Sequence, residues 1–296
     1  MSGPTDDDPP SPLFEAVHRS ERIPDHDCTD SGFGPWPQPI RRCSGRMGHE
    51  SNHGKEHPMC GRYASTSTRD DLVAAYDTAA TVGDELPPSY NIAPTQHVNV
   101  VLERVPHDDP DAAPVRRLDS TVKWGLVPSW AKDPKIGSRM INARSETVTS
   151  KPAFKAAAAR RRCVLPADGY FEWMKDENGR KIPFFLHADE PIAMAGLYEL
   201  WPNPELPEDD PDRWLWTCTV LTRPATDAAG HIHDRSPVLL PESFVGPWLD
   251  PSLTDRDDVD ALLNSIPEPH LHPYEVGTAV NNPRNNSPDL LRPVNT

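Results

Sequence analysis

No stretch of the 296-residue sequence approaches the roughly 20 consecutive apolar residues of a membrane-spanning helix, and the N-terminus lacks the basic-then-apolar order of a secretory signal. Those absences argue against a helical membrane protein and a conventionally secreted one; the expectation is a soluble chain of bacterial cytoplasmic type. Cysteine is scarce. The five present (Cys28, Cys43, Cys60, Cys163, Cys218) are odd in number and irregularly spaced, which argues against a disulfide framework and fits a reducing compartment. At least one thiol is left free for chemistry. Positive charge is short overall: a net charge of -15 runs against nucleic-acid binding, because phosphate contacts need Lys and Arg. There is no internal repeat.

Apolar residues are also fewer than usual. They make up 36% of the chain, a little below the globular average even with the 16 glycines added, so part of the chain is expected to lie outside any core. The first 58 residues fit that part. They hold Asp6-Asp7-Asp8-Pro9-Pro10, scattered Pro, Ser and Gly, and few aliphatic residues, too little apolar surface to offset the entropy of ordering. Residues 1–59 are therefore read as a disordered leader and 60–296 as one folded domain. Charge within that domain is uneven. Between Lys123 and Lys181 thirteen Lys or Arg face six Asp or Glu, a local balance of +7, while the acidic surplus lies in the leader, in 205–212 and in 250–260. Such a region is either a groove for an anionic partner or a solvated face.

Local signals outline an α+β domain built on antiparallel sheet with short helices. A helix is predicted over 68–80 with Thr68 as N-cap, another over about 151–161, and short ones near Glu242 and Asp255. Strands are predicted at 98–104, 122–127, 163–165, 170–175, 183–187, 192–200 and 214–222, with a hairpin turn at Asn178-Gly179, a polar loop over 106–114 and an irregular end from Pro267.

Polar residues with chemical potential sit in short segments bounded by apolar ones. Glu172, between Phe171 and Trp173, gains proton affinity if buried, as a carboxyl proton donor near neutrality requires; a solvent-facing strand Glu is the alternative. His233, followed by Asp234 and Arg235, is an acid-base candidate by residue type, although a lone His is more often structural. Asn142 and Arg144, two apart, project to one face of an extended segment and suit an anionic ligand, unless Arg144 is salt-bridged to Glu146. Cys60 follows Met59, a possible translation start whose removal would leave Cys60 with an α-amine and a thiol on adjacent carbons.

These segments together resemble the SRAP family of SOS-response-associated peptidases and abasic-site shielding proteins. The resemblance runs from Met59-Cys60-Gly61-Arg62-Tyr63 through Asn91-Ile92-Ala93-Pro94-Thr95, Trp124-Gly125, Asn142-Ala143-Arg144-Ser145-Glu146-Thr147, Asp168-Gly169-Tyr170-Phe171-Glu172-Trp173 and Ala195-Gly196-Leu197-Tyr198-Glu199 to Thr222, Ile232-His233-Asp234-Arg235 and Val280-Asn281-Asn282. It implies a compact β-rich α+β domain with a basic DNA-binding groove. It further implies catalytic roles for Cys60, Asn142, Glu172 and His233, and DNA contacts at Arg62, Asn91, Pro94, Trp124, Arg144 and Thr222. Ser236, in Arg235-Ser236-Pro237, departs from the family pattern.

The implied chemistry is capture of the open-chain aldehyde of an abasic site in single-stranded DNA by the Cys60 amine and thiol, giving a thiazolidine crosslink, with weak lyase activity as a side reaction. It requires residues 1–59 to be absent, through start-site misassignment or processing. The rival is a cysteine-type peptidase that releases the leader at Met59-Cys60. A third reading, a metal module of Cys43, His49, His53, His57 and Cys60, matches no zinc spacing. No metal or cofactor is expected; the expected partner is single-stranded DNA, with no membrane partner and a monomeric protein.

Overall fold

The computed structural model describes residues 61–106, 109 and 111–294; Cys60, Met59 and the rest of the expected leader lie outside them. In chain order the elements are β1 (Arg62–Ser65), α1 (Arg69–Tyr76), β2 (Ala80–Val82), β3 (Ser89–Ile92), β4 (His97–Arg104), β5 (Val115–Trp124), β6 (Asn142–Arg144), α2 (Lys155–Arg160), β7 (Arg162–Ala167), β8 (Gly169–Lys175), β9 (Lys181–His187), β10 (Ile192–Pro202), β11 (Trp214–Pro224), α3 (Asp227–Gly230), β12 (Arg235–Pro237), α4 (Glu242–Leu249), α5 (Arg256–Ser265) and β13 (His272–Glu275). The α+β expectation holds. No helix among the described residues is long and apolar enough to cross a membrane.

Caps and turns explain the boundaries. Thr68 accepts from Asp71 N at 3.2 Å while the Asp71 carboxylate accepts from Thr68 N at 3.0 Å, a reciprocal capping box that starts α1. The predicted run to Ala80 stops at Tyr76 instead: Asp77 turns left-handed at φ 48°, and Ala80–Val82 is released to pair in parallel with β5. The α2 prediction also starts late, at Lys155. Asp255 caps α5 through Asp257 N at 2.8 Å. The β8–β9 hairpin closes with Asp176 N donating to Arg180 O at 2.9 Å and Gly179 at φ 77°, the left-handed position that the Asn-Gly pair signals. The end from Pro267 is less irregular than expected, because β13 pairs with β9.

The strands form two sheets, β13-β9-β8-β1-β3 and β12-β11-β10-β7-β4-β5-β2, with β6 added to β11. Pairing is mainly antiparallel, but β11 also pairs in parallel with β5 at Thr217↔Lys123 and Cys218↔Trp124, closing five strands of the larger sheet on themselves. Period-two alternation then separates two cores. Val100, Leu102, Cys163, Leu165, Met194, Cys218 and Val220 share one core, which also takes in Tyr63 and Tyr170 of the smaller sheet. Their neighbours Val101, Val164, Ala193, Ala195 and Leu221 turn the other way, into a core with Ala157, Val245, Trp248 and Val259 from α2, α4 and α5. The far face of the smaller sheet buries Phe171 and Phe185 under Val276, Val280 and Leu290 of the C-terminal segment.

Candidate functional site

Strand β11 gathers much of the predicted site. Its Thr222 lies beside Arg144 of β6 on one edge and Pro237 of β12 on the other. Asn142 is half-buried and Arg144 exposed, flanking buried Ala143, so the two share the face that the i, i+2 spacing predicts. The alternative in which Arg144 pairs with Glu146 is not what forms. Glu146 instead accepts from Arg235 Nη1 at 2.6 Å and Nη2 at 2.8 Å, leaving Arg144 without an ion pair among the described residues. Arg235, 7% exposed, also donates to Thr222 O at 2.6 Å and approaches Thr222 Oγ1 at 3.3 Å. Thr222 is itself fully buried, a bracket for this link with no face toward a ligand. The Arg235 hydrogen bonds draw the Glu146 pKa down to about 2.

His233 reaches this cluster from the turn after α3. Its Nδ1 lies 2.9 Å from Asp234 Oδ1 and 3.2 Å from Arg235 N. One ring nitrogen cannot donate to the carboxylate and accept from the amide at once. The two contacts therefore serve different protonation states: protonated Nδ1 faces Asp234, and unprotonated Nδ1 faces the amide.

Glu172 sits on β8, only 4% exposed, so the solvent-facing alternative does not hold. Alternation puts it on the same side as Tyr170, toward the larger sheet. The pairing Arg62↔Phe171 sets the first residue of β1 opposite the neighbour of Glu172.

Two of the residues predicted to contact DNA, Trp124 and Asn91, are buried, and a third, Arg62, is half-buried. Trp124 is 1% exposed, with its ring edge-on to Tyr63 at 5.2 Å and its Nε1 donating to Ile141 O at 2.9 Å. It cannot stack on a base, and it instead ties β1 to the residue before Asn142. Asn91, 2% exposed, donates through Nδ2 to the carbonyls of Val280, Asn282 and Asn285 at 3.0–3.2 Å. Arg62 donates to Asn91 Oδ1 at 2.9 Å and Val280 O at 2.8 Å, and burial lowers its pKa. Both hold the C-terminal segment, and the apolar bounding of Asn91 signalled burial more than contact. Pro94 is half-buried and opens a turn whose next residue, Thr95, is left-handed at φ 73°, an uncommon and strained state for a β-branched side chain.

What sequence reasoning missed is the loop after Trp124. Gly125, at φ 128°, lies so close to Gly137 that a Cβ there would come within 2.6 Å of Gly137 O, and this glycine contact pins the loop. Trp130 stands 60% exposed on it, beside exposed Lys132, Lys135 and Arg139, around a hollow of about 380 Å³. The nearness of an indole to cations was visible in Ser129-Trp130-Ala131-Lys132, and its exposure was not. The basic run is not all available: Arg161 pairs with Glu199 at 2.7 Å, and Arg162 is buried against Trp248 O at 2.7 Å.

The family of SOS response associated peptidases, SRAP, matches residues 59–283, a span that contains every predicted site residue. The chain belongs to the SRAP family. Its relatives include the abasic site processing protein YoqW of Bacillus subtilis (strain 168), 38% identical over 236 residues that cover 79% of this chain and 99% of the relative. The abasic site processing protein HMCES of Xenopus tropicalis is 32% identical over 272 residues, 80% of this chain and 78% of the relative. Among solved structures, a phage-related protein from Bordetella bronchiseptica is 28% identical with TM-score 0.53, covering 73% of this chain and 94% of that one. A Bacteroides thetaiotaomicron protein shares the fold with TM-score 0.64 at 22% identity, covering 79% and 99%.

In this SRAP chain the described thiols are inert by burial: Cys163 and Cys218 are free and fully enclosed, and desolvation raises both pKa values. Cys60 and the Cys43 to His57 run lie outside the described residues.

Proposed function

We propose that this SRAP protein processes abasic sites in single-stranded DNA by bonding to them covalently through Cys60, and that the active form lacks residues 1–59. The carrying observation is the β1–β8 register, which sets Arg62, two residues after Cys60, opposite Phe171, the neighbour of buried Glu172. A residue two positions before Arg62 lies within about 7 Å of its Cα by covalent geometry alone. The names of the Bacillus and Xenopus relatives support the substrate.

The aldehyde of the opened sugar condenses with the Cys60 α-amine, forming a C=N bond and releasing water. The Cys60 thiol then adds across that bond, sulfur to carbon and proton to nitrogen, to close a five-membered thiazolidine. An α-amine of pKa about 7.7–8.0 is partly neutral at pH 7 without a special base. Well-oriented closure benefits from effective molarities of roughly 10⁵ M or more, which makes a reversible imine lasting. Glu172 supplies the proton that opens the sugar, Asn142 orients the amine or the freed hydroxyl, and His233 relays protons between its two hydrogen-bonded states. Arg144 holds a phosphate, and Trp130 with Lys132, Lys135 and Arg139 carries the adjoining strand in the role first expected of Trp124. The family's description as peptidases favours a companion step in which water cleaves the Met59–Cys60 bond and exposes the amine.

Intact-mass measurement on protein from cells tests the reading, before and after incubation with an oligonucleotide bearing one abasic site. The expected result is a chain beginning at Cys60 that gains the oligonucleotide mass less one water, and no gain in Cys60→Ala. An attached leader together with no adduct would overturn it.

A further inference from the structure

The turn between α3 and β12 offers one nitrogen of His233 two alternative partners. Nδ1 lies 2.9 Å from Asp234 Oδ1 and 3.2 Å from Arg235 N. A carboxylate only accepts from that nitrogen and an amide only donates to it, so each partner selects one form of the neutral ring. Beside Asp234 the proton sits on Nδ1, and the Nε2 lone pair is left as a base. Beside the amide the proton sits on Nε2, which is then an acid.

Both partners are presented from a fastened backbone. Arg235 opens β12, and its guanidinium is tied to Glu146 and to Thr222 O. The Asp234 side chain is 83% exposed, yet Asp234 O accepts from Ala225 N at 2.9 Å and the next residue pairs with Pro224 of β11. His233 N in turn donates to Ala229 O at 3.0 Å.

We propose that Asp234 is a positioning residue for His233: its carboxylate draws the ring proton to Nδ1 and leaves Nε2 to act first as the base. The inference rests on the proton relay assigned to His233 under the proposed function. Attack of the Cys60 amine on the aldehyde leaves a surplus proton on nitrogen, and the hydroxyl so formed departs as water only after gaining one. Nε2 takes the first proton and returns one to the hydroxyl, so the ring ends as it began. The Arg235 amide favours the form in which Nε2 holds the proton ready to give.

The protein as purified from cells serves for the test. Nitrogen-15 NMR of the His233 ring should find Nδ1 protonated in a share of the neutral rings, and that share should drop in Asp234→Ala, where the amide alone selects. An unchanged ring would overturn the proposal whatever the crosslinking activity. With an abasic oligonucleotide at saturation, Asp234→Ala should crosslink about two- to fivefold more slowly, the scale of an exposed ion pair. The half-saturating DNA concentration and the melting point should not move. Asp234→Asn keeps an acceptor oxygen without the charge and should fall between. Added to His233→Ala, itself slower by roughly 100-fold or more, Asp234→Ala should cost nothing further. No cost with His233 present, or an equal cost without it, would overturn the positioning role; full speed in His233→Ala would overturn the relay on which that role rests.

Discussion

Arg62 and Arg144 were both expected to contact DNA, and they lie in different settings. Arg62 spends its guanidinium on Asn91 and the Val280 carbonyl, and Trp124 and Asn91 likewise satisfy their polar atoms inside the protein. Arg144 has no ion pair among the described residues, because Glu146 is taken by Arg235, and it shares an outward character with Trp130, Lys132, Lys135 and Arg139. The same residue types do opposite work in the two regions. Those whose donors find backbone carbonyls nearby build the frame, and those left facing water are available to a ligand.

Substitutions should separate the two regions. Trp124→Ala should destabilise the fold by about 3–5 kcal/mol in denaturant titration, the usual cost of emptying a buried aromatic position; a near-neutral result would return Trp124 to the surface group. Asn91→Ala strands buried carbonyls and should cost about 1–3 kcal/mol, with faster amide exchange at Val280 and Asn285 as the local sign. Trp130→Ala should leave the melting point unchanged while weakening single-strand binding by about 1–3 kcal/mol, and a stability loss with intact binding would reverse its assignment.

Arg144→Ala should lower the salt dependence of binding by about one unit of slope, equally for all sequences. The smallest effect concerns Glu146, whose folded pKa of about 2 lies below its unfolded value. Its contribution is present above the unfolded pKa and lost as pH falls toward about 2. With the carboxylate side chain 44% exposed, screening holds that contribution under about 1 kcal/mol. The stability gap between wild type and Glu146→Gln should therefore shrink between pH 5 and pH 2, and a gap constant with pH would contradict the pairing.

Much of the fold was legible because its signals are local. The Thr68 capping box, the Asn178-Gly179 turn and the alternation in β4 and β11 each act within a few residues. The parallel β5–β11 closure was not legible, since it joins positions about ninety apart with no turn to announce it. In the site, the spacing of Asn142 and Arg144 gave their shared face, while the apolar flanks of Glu172 left both burial and solvent exposure open, and the fold buries it. Partner choice did not follow from spacing: Glu146 looked like the neighbour of Arg144 and is bonded to a residue 89 positions away. Trp124 and Trp130 differ only in what packs over them, which a short motif does not carry.

The clamp on β1 also sets a clock. Arg62 and Asn91 are fastened by carbonyls at 280–285, so the first strand is held by residues made much later, 218 positions after Arg62 in one case. At synthesis rates of about 5–20 residues per second, that interval lasts on the order of ten to forty seconds. Until residues 280–285 emerge from the ribosome, β1 has its ladders with β3 and β8 but not this fastening. The front of the domain is thereby completed late, and any change at residues 280–285 is an operation on the opening strand.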